Sequence, residues 1–207
     1  MKLPKGWVWT TIEDILLTLE SGGRPKGGVK NIKEGIPSIG GEHLSYNGSF
    51  NFTEIRYIPK EFYAKMTRGY IRKKDILVVK DVATTGKTAF VSDSFPYNKA
   101  AANEHVFILR VLEDYTIPKY LFFWMQSLYG QKCVTDNFQG TAQGGINSLF
   151  VKNSDFPLPP FSEQTRIVDY LDGLRAKVEK LQQKQSNDLE ELKNSILDKG
   201  FKGELEV

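Results

Sequence analysis

The stretch Phe156-Pro157-Leu158-Pro159-Pro160 divides the sequence into two parts of different composition. Glycines, aromatic residues and short apolar runs are frequent before it. No proline follows it, and Gly173 is the only glycine between it and Gly200. Because proline does not fit a helix interior, the stretch ends one region and sets the start of the next. We therefore predict an α+β protein, with a mixed α/β domain over residues 1–158 and a long helix within residues 159–207.

Apolar residues in the second part recur at the 4-3-4-3 spacing of a coiled-coil seam. Gln185 and three further apolar residues continue the seam after a doubled interval of four, which is a stutter. A helix over residues 162–199 would be about 55 Å long, more than a domain of this size could cover. We expect a second copy to cover part of the seam, so that the protein is a homodimer. The alternative is a helix packed wholly on its own domain. The apolar seam residues are Ile167, Leu171, Leu174, Val178, Leu181, Leu189, Leu192 and Ile196.

Short apolar runs in the first part indicate strands separated by polar, glycine-rich loops. Thr116 and Pro118 are typical of a helix start, and this helix is expected to extend to about Leu128. A short helix is also expected over residues 12–19, because four apolar residues there fall on one helical face. Enrichment in β-branched and aromatic residues predicts strands at 36–39, 76–79, 88–91 and 105–109.

The composition, 40% hydrophobic and 26% charged with a formal net charge of +3, is typical of a globular protein with its own core. The basic excess lies in residues 1–160, which favours a polyanionic partner. No apolar run is long enough for a membrane span and no apolar signal segment follows Met1, so we predict a cytoplasmic protein with no membrane contact. Cys133 is the only cysteine, which excludes an internal disulfide. His43 and His105 lie far apart in the sequence, and we predict neither a metal nor a cofactor.

Thr84-Thr85-Gly86-Lys87-Thr88 has the end of a phosphate-binding loop but not its beginning. That loop needs a glycine five positions before Gly86, where this chain has Asp81. The residues after Lys87 are also predicted as strand rather than helix. No methyltransferase motif, Ser-His-Asp arrangement or distinct carboxylate pair is present. The residues therefore give no positive reason to predict an enzyme, and they leave open a nuclease site built from scattered acidic residues.

Several segments, in their order and spacing, resemble the specificity (S) subunit of type I restriction–modification enzymes. The resemblance covers essentially the whole chain. The most specific matches are Gly140-Thr141-Ala142-Gln143-Gly144-Gly145-Ile146-Asn147 and Phe156-Pro157-Leu158-Pro159-Pro160-Phe161-Ser162-Glu163-Gln164. The others are Leu3-Pro4-Lys5-Gly6-Trp7-Val8-Trp9, Ser21-Gly22-Gly23-Arg24-Pro25, Gly35-Ile36-Pro37-Ser38-Ile39, residues 73–87 and Phe201-Lys202-Gly203-Glu204-Leu205.

The resemblance implies a non-enzymatic subunit that reads a bipartite DNA sequence and holds the methyltransferase (M) subunits, and through them the restriction (R) subunits. Full-length members carry two recognition domains and two long helices, whereas this chain has one of each. It is then a half-subunit or a piece of a longer protein, and we expect the half-subunit. Two copies would pair their helices antiparallel and place two recognition domains at opposite ends.

Loops mounted on a sheet are suitable carriers of base-reading side chains. Arg24 suits guanine, whereas Lys26 and Lys87 suit phosphates. Loss of Arg24 or Lys87 is expected to weaken DNA binding and reduce its salt dependence. We expect His105 to be structural. The candidate DNA-binding residues are Arg24, Lys26, Tyr46, Asn47, Thr84, Thr85, Lys87, Gln139, Thr141, Gln143 and Asn147.

Two other functions remain open at this point. The chain could be a coiled-coil adaptor whose globular domain binds a protein or a carbohydrate and not DNA. It could also be an enzyme, either a nucleotide hydrolase or a fused methyltransferase. Salt-dependent DNA binding would distinguish a specificity subunit from the adaptor. Binding of ATP or S-adenosylmethionine by the isolated chain would favour the enzyme.

Overall fold

The computed structural model describes residues 2–81, 84–140 and 144–202. It confirms the predicted fold class, a mixed α/β region followed by a long C-terminal helix. The chain divides into two compact units, Met1–Thr165 and Arg166–Val207. No helix in the described part of the chain is long and apolar enough to cross a membrane.

The main sheet of the first unit has the strand order β2–β8–β5–β6, with all neighbours antiparallel. Strand β8 lies in the middle, and its nearly continuous apolar sequence is buried on both faces. The predicted strands at 76–79, 88–91 and 105–109 are confirmed to within two residues. The bounds are Leu16–Ser21 for β2, Ile76–Val79 for β5, Thr88–Phe90 for β6 and Val106–Val111 for β8.

A second sheet, ordered β4–β3–β7, packs beside the first and includes the predicted strand at 36–39. Its strand β3 pairs in parallel with β7, so the chain leaves both strands at the same end. Buried apolar side chains of β3 and β7 join those of β5 and β8 in one core cluster. The bounds are Ile36–Ile39 for β3, Arg56–Ile58 for β4 and Ala101–Ala102 for β7, with helix α1 at Lys60–Lys65.

A short antiparallel ladder joins the beginning of the chain to the proline-rich stretch. Strand β1, Val8–Thr11, pairs with β9, Asp155–Leu158, so Pro157 lies opposite Trp9. Proline is tolerated here because the ladder has two strands and therefore only edges. The helices that precede β9 are α2 at Pro118–Gln126, as predicted, α3 at Leu128–Thr135 and α4 at Phe150–Asn153.

The short helix predicted over residues 12–19 is wrong. Only a single 3-10 turn, Glu13–Ile15, forms there, and Leu16 already belongs to β2. The Asp14 carboxylate accepts hydrogen bonds from Thr10 and Thr11 and so closes this turn locally. Strand pairing with β8 then prevails over helical periodicity, because it buries Ile15 and satisfies the backbone groups that follow.

Gln164 fixes the beginning of helix α5, Phe161–Lys202. Its buried side-chain amide donates to the carbonyl oxygens of Tyr115 and Pro159, at 3.0 and 3.1 Å. Its oxygen accepts from the Ile117 N–H at 2.8 Å and the Thr116 hydroxyl at 3.4 Å. One side chain thus satisfies four polar groups between the first turn of α5 and the start of α2.

Replacing Gln164 by leucine keeps the volume but leaves these buried partners without hydrogen bonds. We expect Gln164→Leu to lower the free energy of unfolding by about 2–3 kcal/mol. Thr165→Ala, at an exposed neighbouring position, should change it by less than about 0.5 kcal/mol. Equal urea midpoints for the two variants would contradict the role assigned to Gln164.

The apolar side chains of α5 are exposed along most of the second unit. From Leu174 onward the seam residues are between 40% and 66% exposed. Ile167 and Leu171 are partly buried. The long helix is therefore confirmed, whereas the homodimer that was expected to cover it stays a prediction.

Candidate nucleic-acid interface

Several strand ends of the first unit meet at one edge, and this places most of the predicted DNA-binding loops together. Because β2 and β8 are antiparallel, the loop after Ser21 lies beside the residues before Val106. Strand β5 also ends there, and the N–H of Lys80 donates to the carbonyl oxygen of His105 at 3.0 Å. The parallel β3 and β7 deliver their ends to the same place, where Asn103 donates through its N–H to Ile39.

The turn between β5 and β6 presents Lys87. The Gly86 N–H donates to Val79 and the Lys87 N–H donates to Thr84, which closes the turn. Gly86 has φ +85°, a conformation that glycine adopts without strain. The side-chain amide of Gln131, from α3, donates to the Gly86 carbonyl at 3.0 Å. The turn is therefore held by backbone and side-chain hydrogen bonds.

Lys87 and Tyr46 come together although they are 41 residues apart in sequence. The Lys87 ammonium lies 5.3 Å from the centre of the Tyr46 ring, within the range of a cation–π contact. Tyr46 is 61% exposed, and Lys87 is half-buried. Close packing joins their loops, because a Cβ on Gly41 would lie only 3.1 Å from the Thr84 hydroxyl oxygen.

Arg24 lies in a cluster with Glu104, His105 and Asp81. The Arg24 Nε and Nη2 groups both donate to Oε1 of Glu104, with the Nε contact at 2.6 Å. Nη2 also lies 2.7 Å from Nε2 of His105. The other ring nitrogen of His105, Nδ1, is hydrogen-bonded to the Asp81 carboxylate. Asp81, His105, Arg24 and Glu104 thus form one continuous chain of hydrogen bonds.

The contacts of His105 define the hydrogen-bond role of each ring nitrogen. A guanidinium group can only donate, so Nε2 of His105 must accept the hydrogen bond from Arg24. Nδ1 of His105 then donates to the Asp81 carboxylate, and Nε2 also lies 3.4 Å from Oε1 of Glu104. The hydrogen bonds to Glu104 raise the pKa of Arg24. Burial acts to raise the pKa of Glu104, but the hydrogen bonds and charge of Arg24 outweigh it and lower this pKa.

Gly145 and Ile146 are bonded to the same edge. The Ile146 N–H donates to the Lys80 carbonyl at 2.7 Å, and Gly145 forms a bridge with Asp81. A Cβ at Gly145 would lie 2.3 Å from the Lys80 oxygen, so only glycine allows this approach. Gln139 pairs with Gly145 through both backbone groups.

The structure brings many of the sequence-predicted residues together but gives them different surroundings. Lys26 is exposed two residues beyond Arg24, and Thr84 and Thr85 lie in the turn that presents Lys87. The side-chain oxygens of Asn47 and Asn147 accept hydrogen bonds within their own loops, from Ser49 and Leu149, so they also have a local structural role. Thr141 and Gln143 lie outside the described residues.

Sequence reasoning missed the surroundings of Arg24. His105 was expected to be only structural, and Asp81 was considered only as a missing glycine. No spacing in the sequence joins residues 24, 81 and 104–105, because sheet pairing brings them together. Within residues 2–81, 84–140 and 144–202, no group of three or more His, Cys, Asp or Glu side chains could hold a metal ion.

Comparison with solved structures identifies relatives of this fold. A chain from a structure of the type I R-M system, described in terms of complex assembly and conformational transition, has a TM-score of 0.70 and 23% identity. It matches 99% of this chain, which covers 48% of that one. The HsdS subunit of Thermoanaerobacter tengcongensis has a TM-score of 0.65 and 20% identity over 92% of this chain and 47% of its own.

Sequence comparison gives the family. The chain is 30% identical to the type I restriction enzyme EcoBI specificity subunit of Escherichia coli, over 98% of this chain and 43% of that subunit. The chain thus spans less than half the length of this relative. Residues 4–191 match the family described as type I restriction modification DNA specificity domain. Because this match includes both the loop-bearing unit and most of the long helix, the chain belongs to the family of type I restriction–modification DNA specificity domains.

Proposed function

We propose that this chain is a non-catalytic DNA-recognition module of a type I restriction–modification system, and that it binds one half of a bipartite target. The observation that carries the proposal is the family match over residues 4–191. The geometry supports it, because loops from several strand ends form one surface that bears lysines, an exposed tyrosine and polar side chains. Such loops can contact phosphates and base edges together.

The lysines of this surface would supply the electrostatic part of binding. Lys26 is exposed, and Lys87 lies beside Tyr46 directly before β6. Each phosphate neutralised by a lysine releases counterions, so affinity would decrease with salt. Base contacts would come from shorter side chains and from Arg24, with sequence-dependent DNA shape contributing as well.

The proposed partners are DNA, methyltransferase subunits and restriction subunits, because the matched relative is a specificity subunit of a type I restriction enzyme. A bipartite target needs two recognition domains at a fixed separation. This chain supplies one and spans less than half of that relative. We propose that a second copy supplies the other, through an antiparallel pair of α5 helices.

The order of seam residues supports antiparallel pairing. From Leu174 to Ile196 the intervals are 4, 3, 4, 4, 3 and 4, which read the same from either end about Gln185. A two-fold axis at Gln185 would therefore place Leu181 against Leu189 of the second copy. It would likewise bring every seam residue between Leu174 and Ile196 opposite another seam residue. The stutter becomes the centre of the dimer and not a defect.

Charge favours the same arrangement over a parallel one. One block, residues 175–184, is basic, and the next, residues 186–191, is acidic. Parallel pairing would place like charges side by side, whereas antiparallel pairing about Gln185 places the basic block of each helix beside the acidic block of the other. The basic block contains Arg175, Lys177, Lys180 and Lys184 with one acid, Glu179. The acidic block contains Asp188, Glu190 and Glu191 and no base.

DNA binding is tested by the salt dependence of affinity. The full chain, alone and with a methyltransferase subunit, is used to select duplexes from a randomised library. Affinity for the selected duplex is then measured between about 50 and 200 mM salt, a range over which phosphate contacts make affinity fall steeply. Lys87→Ala is expected to reduce the slope of log affinity against log salt by about one.

Lys73→Ala provides the matched control. Lys73 is an exposed lysine that precedes β5 and pairs with Asp93, whereas Lys87 is half-buried and follows the other end of that strand. Its loss should leave the slope unchanged. Failure to select any duplex, or salt-independent binding, would contradict the proposed function and favour an adaptor that binds a protein or a carbohydrate.

A further inference from the structure

We propose that Arg24 reads a guanine base, and that Asp81, His105 and Glu104 are positioning residues that fix its guanidinium for this contact. The inference rests on the proposed DNA-recognition function and names how one part of that surface would discriminate sequence.

The charge of the cluster argues against a phosphate contact. The one positive charge of Arg24 lies among the two carboxylates of Glu104 and Asp81, and His105 joins Arg24 to Asp81 by hydrogen bonds. The cluster therefore does not attract a phosphate in the way that an isolated lysine does. A base edge presents uncharged acceptors, and arginine is well matched to O6 and N7 of guanine.

The hydrogen bonds leave one part of Arg24 available. Nε and Nη2 are engaged by Glu104 and His105, whereas Nη1 has no hydrogen-bond partner among the described residues. The Arg24 side chain is 25% exposed, and the neighbouring His105 side chain is 43% exposed. Nη1 can thus donate to a guanine acceptor such as N7 without breaking the existing hydrogen bonds.

The three neighbours would lower the entropy lost when Arg24 binds. A free arginine side chain has many rotamers, and ordering it on binding reduces affinity. Here Glu104 and His105 lie directly before β8, and Asp81 is bridged to Gly145. The support of Arg24 is thereby part of the sheet edge and not of a separate loop.

The test replaces the guanines of the selected duplex, one position at a time, by 7-deazaguanine, which lacks the N7 acceptor. Wild-type protein is expected to lose about 10-fold in affinity at one guanine of each half-site, the lower end of the effect of a good arginine contact. Arg24→Ala should lose nothing at that guanine, and its salt slope should equal that of the wild type. Lys87→Ala should behave in the opposite way, with a reduced slope and an unchanged 7-deazaguanine effect.

A positioning role predicts that loss of the side chain decreases the 7-deazaguanine effect but lowers neither the affinity for unrelated duplexes nor the melting temperature of the protein. Glu104→Gln removes a negative charge, so it should decrease the 7-deazaguanine effect while affinity for unrelated duplexes stays equal or increases. His105→Ala and Asp81→Asn should decrease the effect several-fold with unchanged melting temperatures. His105→Gln should restore part of it, because its amide can accept from Arg24 and donate to Asp81.

A selected site without guanine, or an intact 7-deazaguanine effect in Arg24→Ala, would overturn this inference and leave the proposed function standing. A reduced salt slope in Arg24→Ala, equal to that of Lys87→Ala, would also overturn it by making Arg24 a phosphate contact. Failure to select any DNA would overturn both.

Discussion

Leu181→Lys is expected to convert a dimer of this protein to monomers, raising the dissociation constant more than 100-fold. In the proposed pair, Leu181 of each copy is buried against Leu189 of the other, so one substitution introduces two lysines into the apolar seam. Loss of a buried leucine costs about 2–5 kcal/mol, and each 1.4 kcal/mol is a factor of ten in affinity. Sedimentation equilibrium of the full chain measures the change.

Gln183→Lys is the matched control, because residue 183 lies on the face of α5 away from the seam and should leave the dimer intact. The relative direction of the two α5 helices is tested by disulfide formation between introduced cysteines, in a protein that also carries Cys133→Ser. Gln185→Cys should cross-link to itself at the two-fold axis, whereas Leu181→Cys should cross-link only when combined with Leu189→Cys. Cross-linking of Leu181→Cys alone would indicate parallel helices, and a wild-type monomer at high concentration would contradict pairing altogether.

Asp75→Ala is expected to lower the free energy of unfolding by about 3–5 kcal/mol, the usual cost of breaking a buried ion pair. Asp75 is fully buried and accepts two hydrogen bonds from Arg110, both at 2.8 Å, and one from the Arg72 N–H. Burial raises the pKa of Asp75, and the Arg110 hydrogen bonds oppose this rise. Removal of the carboxylate leaves the partly buried Arg110 with Glu20 as its one charged partner among the residues that the structure describes. Urea denaturation of the wild type and of Asp75→Ala measures this decrease in the free energy of unfolding.

Asp93→Ala breaks an exposed ion pair with Lys73 and should leave the urea midpoint almost unchanged. Combining Asp75→Ala with Arg110→Met should cost less than the two changes summed, because the second removes the charge that the first leaves unpaired. If Asp75→Ala and Asp93→Ala had equal unfolding free energies, Asp75 would not have the role assigned to it.

Local chemistry in the sequence was sufficient for elements whose signals do not depend on distant residues. The long helix followed from the absence of proline after Pro160, and α2 from Pro118 at its first turn. The apolar runs of β5 and β8 identified them as strands, since such runs are buried wherever the sheet forms. The helix predicted over residues 12–19 was wrong because helical and strand periodicity cannot be distinguished over so short a segment. Pairing with β8 decided between them.

The position of a residue within the candidate interface could not follow from the sequence. Arg24 and Lys87 are both basic residues in glycine-rich loops, and by sequence alone they had the same expected effect on DNA binding. Their surroundings separate them, because Lys87 lies over Tyr46 whereas Arg24 is held by Glu104 and His105. These contacts join residues up to 81 positions apart.

The amino-acid sequence by itself determined the mixed α/β class, the long helix and the seam spacing on that helix. Each of these depends on residue types a few positions apart, where turn propensity and side-chain periodicity act directly. Tertiary structure alone decided which loops share a surface and which basic residues are neutralised. Antiparallel pairing of β2 with β8 and of β8 with β5, and parallel pairing of β3 with β7, bring the ends of distant segments to one edge.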